Sequence, residues 1–483
     1  SEGRQRVGEL IARELLSWVE GDAVGCGMHY VSAMECALRL ISVAVALDLV
    51  REDMLTRAGA LQCCAQIIAS HADLIAERLS LYSSAGNHTI AEGAGLVFAG
   101  LLLPELPSAA GWIAGGLKVL RTEAPRQVLP DGGGIERATW YHLFVVDLLG
   151  LVEQLLTFKG RSVPDEIAAA VARGRAFLGA FADRPGTLPL FGDADGGYAL
   201  SPWLRLSFAS TPTEDGPRRL VSFADAGLTR VRLGGDRVVE GVLDHGVLGM
   251  PPSYGHGHAD ALSLVLSVAG QAILIDCGTY SYTGDREWRD YFRGTRGHNT
   301  VVVDGLDQAR AETAFMWSRP YSAELHTVDD AAGNQVLLLA RHTGYQSLGV
   351  DHWRGVVVAA DYLIVWDGLA GAGNHRLELY WHLGVDLDSG GGSAFGLDSE
   401  GGTMPLALQG GSVDVFRGSF SPIAGWRSLR YGCKVPISTV RVSHEGRLPH
   451  EFVTILSFTP AQAVADSVTS AVVQALRRKA GWI

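Results

Sequence analysis

Up to about residue 210, apolar residues recur with the period of a helix. In VGELIARELLSWVE, Val7, Leu10, Ile11, Leu15, Trp18 and Val19 fall near i, i+3, i+4 and i+7. MECALRLISVAVALDLV (34–50) is apolar nearly all round, the pattern of a helix buried on several sides. Further helices are predicted over 54–71, 72–81, 90–103, 109–123, 139–157 and 164–181. Breakers such as SSAGN (83–87) and PDGGG (130–134) lie between them. Helix after helix with no strand between predicts an array of α-hairpins.

The polar stretch ASTPTEDGPRR (209–219), with two prolines, reads as a linker. Beyond it the period becomes two. LTRVRLGG, ALSLVLSV, HNTVVVDG, NQVLLLARH, RGVVVAADYLIVWDG and HRLELYWHL are short, alternating or β-branched, and bounded by Gly, Asp and Asn. At least ten such runs fill 222–464, and a short helix over 467–479 closes the chain. Many strands without intervening helices predict antiparallel sheets in a sandwich. The expected division is a helical domain, 1–210, and a β domain, 220–483.

Length and composition agree with two or three globular domains: 483 residues, 47% hydrophobic and 19% charged. Glycine is abundant, 60 residues, which suits many tight turns. The net charge of −12 argues against nonspecific binding to nucleic acid or to an anionic membrane. It also means that any site for an anionic substrate must be locally positive. The six cysteines show no C-x-x-C spacing and read as buried free thiols. Apolar runs such as GAGLVFAGLLLP (93–104) are near a dozen residues, too short for a membrane span. The chain opens at Ser1 on a helical pattern without a signal peptide, so an upstream piece is expected to have been removed.

Four stretches carry candidate chemistry. In SYGHGHADALSLVLSVAGQAILIDCGTYSY (253–282), two histidines lead into an alternating run, and a second run ends at Asp276. A two-residue Ala269-Gly270 turn would pair Val268 with Gln271 and set Asp276 opposite Ser263. His258 would then lie about 16 Å farther along a straight strand, at ~3.3 Å per residue. If His258 and Asp276 meet, residues 253–261 must form a bent loop, which Gly255 and Gly257 allow. His298, in YFRGTRGHNTVVVDG, starts another strand. Two histidines, one aspartate and a water make a common zinc set, although strand-end histidines need no metal. In SSAGNHTIAEGAG (83–95), Asn87 is either a helix N-cap or, with His88, an amide and imidazole presented from a loop. In LPDGGGIERATWYHLFVVDLL (129–149), Tyr141 is either a core aromatic or an acid–base group, with His142 beside it. Asp193 and Asp195 of LFGDADGGY suit a turn with Asx hydrogen bonds, or a glycosidase carboxylate pair.

Together, NHTIAEGAGL, PDGGGIERATWYH, GHGHADALSLVLSVAGQAILIDCGTYSY and FRGTRGHNTVVVDG resemble the heparinase II/III-like polysaccharide lyases, a group that includes the oligoalginate lyases. The resemblance runs from about Gly27 to about Gly305, with a weaker echo in HRLELYWHL. It implies an incomplete (α/α) toroid followed by an antiparallel β-sandwich, and β-elimination of a uronic-acid polysaccharide. It implies that Asn87 binds the uronate carboxylate with His88, that Tyr141 is the catalytic acid, that His142 is on the substrate side and that His256 is catalytic. It further implies a structural zinc ion held by His258, Asp276 and His298, and no organic cofactor. The substrate would be an anionic polysaccharide or oligosaccharide, met in the periplasm or outside the cell, by a monomer or a homo-oligomer. About 210 residues of helix is short for a full toroid of this family. Two other readings compete: a non-catalytic glycan-binding or export-associated protein on the same scaffold, and a glycoside hydrolase using Asp193 or Asp195.

Overall fold

A computed structural model describes the chain except residues 1, 22–24, 50–58, 83, 182–187, 202–217, 235–236, 331–334, 389–391, 460–461 and 483. Most of the expected linker lies outside the described residues. The chain forms two compact units. The first contains Ser1–Gly132 and Tyr141–Ala176; the second takes in Gly133–Trp140, Phe177–Gly196 and the chain from residue 218 onward. Two segments that precede residue 210 therefore belong with the β-strands.

Seven α-helices precede the strands among the described residues: α1 (Glu2–Gly21), α2 (Ala33–Leu49), α3 (Ala60–Glu77), α4 (Asn87–Leu102), α5 (Ala109–Gln127), α6 (Thr139–Phe158) and α7 (Asp165–Phe181). They build an incomplete (α/α) toroid. The break expected at 71/72 is absent. No Gly or Pro sits there, and both His71 and Ala72 are fully buried, so α3 runs straight through. Helix α5 passes Pro125 to Gln127, whose Nε2 donates to the Gly86 carbonyl (2.8 Å).

Small residues let these helices approach closely. A Cβ on Gly100 would lie 2.5 Å from the Ala109 carbonyl oxygen, and one on Gly95 would lie 2.8 Å from the Ala37 Cβ. Helix α6 is long and apolar enough to cross a membrane by length and composition, but 61% of its apolar window is buried in the protein, as for a core helix.

In the second unit the three large sheets pair antiparallel throughout. A five-stranded meander holds β1 (Arg218–Phe223), β2 (Leu228–Leu233), β3 (Val239–Asp244), β4 (Leu264–Val268) and β5 (Gln271–Leu274) in sequential order. An eight-stranded sheet is centred on His450–Ser457, Tyr362–Gly371 and Val350–Ala359. A four-stranded sheet runs Ser412–Arg417, Ser438–Arg447, Asn374–His382, Val301–Val303. One core joins all three, and the period of two is visible in it. Val356, Val358, Leu363 and Val365 face that core, whereas Val357, Ile364 and Trp366 face the opposite side. Val473 and Leu476 of the closing helix (Asp466–Lys479) cover that second side.

One element contradicts the expectation of strands alone. REWRDYFR forms a helix, Arg286–Arg293, capped by Asp285, whose carboxylate accepts from the Glu287 N–H (2.9 Å). Trp288, Tyr291 and Phe292 give it one buried side within a charged sequence. The cysteines remain free thiols; Cys36, Cys64 and Cys277 are buried as expected, but Cys26 is exposed.

Candidate functional site

The β4–β5 hairpin has the expected turn. Ala269 and Gly270 both take positive φ (51° and 79°), and Val268 pairs with Gln271. The expected pairing of Ser263 with Asp276 does not form. A register shift after Ser267 sets Leu274 opposite Leu266, and β5 ends there. Where the strands part, Asn299 bridges them: its Nδ2 donates to the Leu264 carbonyl (2.8 Å) and the Ile275 carbonyl (2.9 Å). The hairpin thus opens at the end that carries the histidines.

The residues before β4 form the bent loop. Gly257 serves by close approach: a Cβ there would fall 1.6 Å from the Leu248 carbonyl oxygen. Leu262 holds a positive φ of 63°, an unusual backbone for a bulky residue. Asp193 contacts both histidines. His256 Nδ1 lies 3.2 Å from Asp193 Oδ2, and His258 Nε2 lies 3.0 Å from Oδ1. Arg289 grips the same carboxylate with both terminal nitrogens, Nη2 at 2.8 Å. The turn reading of Asp193 is therefore wrong: its carboxylate is fully buried and bridges three side chains. Its own backbone N–H also donates to the His256 carbonyl (2.9 Å).

The electrostatics follow from this clamp. Burial pushes the Asp193 carboxyl up, but Arg289 and the two histidines more than offset it and hold it well below the usual range. A carboxylate held ionised by Arg289 is poorly suited to be the general acid of a glycosidase pair. Burial alone would lower His256; its bond to Asp193 and the charge of Glu136 win, and its pKa is raised. For His258 burial wins and the pKa is lowered, which favours a neutral ring.

Beyond Asp193, His258, Asp260 and His298 could hold a metal ion: one donor atom from each lies within 4.8 Å of the others, and all three are buried. Asp276, expected as a ligand, makes a different contact in this structure. Its Oδ2 sits 2.6 Å from His298 Nδ1 and raises that imidazole to about 9 against the effect of burial. Two observations fit a cation here. His258 Nδ1 and His298 Nε2 are buried without a hydrogen-bond partner. Carboxylates also crowd the spot. Burial, with Asp260 nearby, holds Asp244 well above the usual carboxylate range, and burial raises Asp260 as well.

The other candidates belong to the helical unit. Asn87 is the first residue of α4 and is buried, but it is not the cap. Gly86 takes that position with φ 118°, and no side chain caps the helix. The loop before it is tied by Glu92, which accepts from the backbone N–H and the hydroxyl of Ser80, both at 2.7 Å. His88 and Tyr141 are half-buried, Tyr141 on the first turn of α6. His142 is buried, and burial pushes its imidazole down to about 4, so it serves as a neutral ring.

Residues 215–467 match the model of the family described as "Heparinase II/III-like, C-terminal", and residues 29–198 match "Heparinase II/III N-terminus". The chain belongs to the heparinase II/III-like family. A heparin-sulfate lyase of Pedobacter heparinus is 25% identical over 330 residues, 63% of this chain and 47% of that protein. Another, of Bacteroides stercoris, is 24% identical over the same shares. The chain thus spans about half the length of these curated relatives. In fold, the crystal structure of heparinase III superposes with a TM-score of 0.75 at 16% identity, covering 93% of this chain and 73% of that one. A heparan sulfate lyase from Pedobacter heparinus gives 0.66 at 18% identity, covering 95% and 73%. Within this heparinase-like chain, the residues missed from the sequence are Asp193 in its clamping role, Arg289 and Asp260. Each signal was present, in DADGG, REWRDYFR and H-x-H-A-D, but all three are common surface patterns until burial marks them out.

Proposed function

We propose that this protein is a polysaccharide lyase that cleaves a uronic-acid-containing glycan by β-elimination. The observation that carries the reading is the buried Asp193–Arg289 clamp on His256, in a member of a family whose sequence relatives are named heparin-sulfate lyases. A buried Arg–carboxylate pair is costly to maintain for packing alone. Here it orients one imidazole whose side chain remains 15% exposed.

The C5–H of a uronate is weakly acidic because its carboxylate stabilises a carbanion poorly. Asn87 and His88 would donate to that carboxylate and let negative charge develop on it. Asp193, accepting from His256 Nδ1–H, leaves Nε2 as the working nitrogen and steadies positive charge on the ring. Tyr141 would protonate the departing glycosidic oxygen. The geometry of the sugar, syn or anti, selects Tyr141 or a histidine as the base. A metal would fix the loop that carries His256, with His258, His298 and a carboxylate as ligands. Zinc suits two imidazoles and one carboxylate.

Because the relatives are named heparin-sulfate lyases, heparan-type polymers come first among substrates to test, followed by alginate and other uronic polymers. Such substrates go with a periplasmic or secreted location. The test is product analysis across these polymers. An unsaturated, ultraviolet-absorbing sugar at the new non-reducing end is expected; new reducing ends without that absorbance would refute the lyase reading.

A further inference from the structure

The surface beside His256 is aromatic. Phe315 packs edge-on against the His256 ring, with centroids 5.9 Å apart, and Tyr282 lies 6.4 Å away on a tilted plane. Tyr282 also meets Phe315 (5.0 Å) and Tyr431 (5.2 Å) edge-on, so the three rings are contiguous. Phe315 is 40% exposed and Tyr431 is 39% exposed. Single exposed apolar residues are ordinary, but a connected aromatic group touching a candidate catalytic imidazole is not.

The group is built rather than incidental. Arg289, which holds Asp193, also donates from Nε to the Ala314 carbonyl (3.1 Å), and Arg293 Nη1 donates to the same oxygen (3.0 Å). That oxygen immediately precedes Phe315. Above the rings, Arg289 lies 5.0 Å from the Tyr282 centroid and 5.7 Å from that of Phe315. On the other side, the Tyr431 hydroxyl accepts from the Tyr282 N–H (3.0 Å). One guanidinium therefore orients His256, through Asp193, and anchors the loop that presents Phe315.

We infer that Phe315, Tyr282 and Tyr431 form a stacking wall for one pyranose ring of the glycan, next to the ring on which His256 acts. A pyranose has a face of C–H groups that packs on an aromatic ring, while its edge carries the hydroxyl and carboxylate groups that polar residues read. The wall suits a stacked sugar better than a bare anion. Arg289 is buried and already committed to Asp193, so it is not placed to meet a free anion, whereas Phe315 and Tyr431 are exposed. The inference rests on the glycan reading above, though not on the lyase chemistry.

The test is calorimetric titration of the full chain with a heparan sulfate tetrasaccharide, alongside F315A, F315L and F315Y. F315L keeps apolar bulk and removes the ring; F315Y keeps the ring. The expected result is a Kd raised about tenfold in F315A and F315L and within about twofold of the parent in F315Y, with the melting temperature of F315L unchanged. Equal Kd values in all four proteins would overturn the wall, as would no binding by the parent chain. So would a parallel loss of melting temperature and affinity in F315L, since that marks a packing role. Cleavage assays stand apart: binding that responds to Phe315 without any unsaturated product refutes the lyase reading and keeps the wall.

Discussion

The two units hold their candidate residues by different physical means. In the helical unit, Asn87, His88 and Tyr141 ride on the first turns of α4 and α6, and α4 packs closely through Gly95 and Gly100. In the strand unit, His256 and His258 sit on an irregular loop, and a buried ionic clamp sets their directions. A helix start is fixed by backbone geometry and tolerates polar change nearby. A loop held by one carboxylate depends on that carboxylate.

Several measurements would break or sharpen this contrast. The largest effect is expected at Tyr141: Y141F should lower kcat by about 10²–10⁴ while oligosaccharide affinity survives, measured as ultraviolet-absorbing product and calorimetric Kd. A comparable loss of both would place Tyr141 in packing instead. Next is D193N, which leaves Arg289 buried against a neutral amide. It should cost on the order of 3 kcal/mol in urea unfolding and at least ~100-fold in kcat. An active, stable D193N would remove the clamp from the account.

The metal follows. Elemental analysis of protein prepared without chelator should give one zinc per chain, lost in H298A. The carboxylates then separate: D260N should abolish binding if Asp260 is the ligand, whereas D276N should weaken it about 10–100-fold as a change behind His298. In the helical unit, G100A should cost about 1–3 kcal/mol, because its Cβ would meet the Ala109 carbonyl at 2.5 Å. A neutral result would mean that α4 and α5 can slide apart without penalty.

The effect shared by both units is with pH. Burial holds His142, in the helical unit, and His245, in the strand unit, at about 4 against an ordinary 6.5. As pH falls below 6.5 the unfolded chain takes up protons that the folded chain refuses. Stability should therefore decline from pH 6.5 to 4 and level off below, by at most about 3 kcal/mol for each ring. Urea midpoints across that range, in the parent and in H245Q, measure the strand unit's share. An unchanged slope in H245Q would show that His245 is protonated in the folded state.

The period of the apolar residues was enough to separate the helical part from the strand part and to locate most described helices and the longer core strands, because burial on one face is a local property of spacing. It failed where local signals conflict with tertiary demand. REWRDYFR is highly charged, and the Asp285 cap together with burial of Trp288, Tyr291 and Phe292 beside Trp426 makes it a helix. The supposed break at 72 vanished because burial of Ala72 rewards continuity.

The H-x-H, Asn-His and Tyr-His pairs, the bend before β4 and the Ala269-Gly270 turn were all legible from residue type and spacing. The partners of those residues were not. Asp193 is 63 residues from His256 and 96 from Arg289, so nothing in its neighbourhood along the chain distinguishes it from an ordinary turn aspartate. Likewise, the sequence did not show that Asp260 lies with His258 and His298 as a possible third donor, while Asp276 contacts His298 Nδ1. Sequence determined which chemical groups this protein carries and in which elements. Tertiary structure decided which of them share a buried space, where low dielectric turns an unremarkable carboxylate into the group that orients the rest.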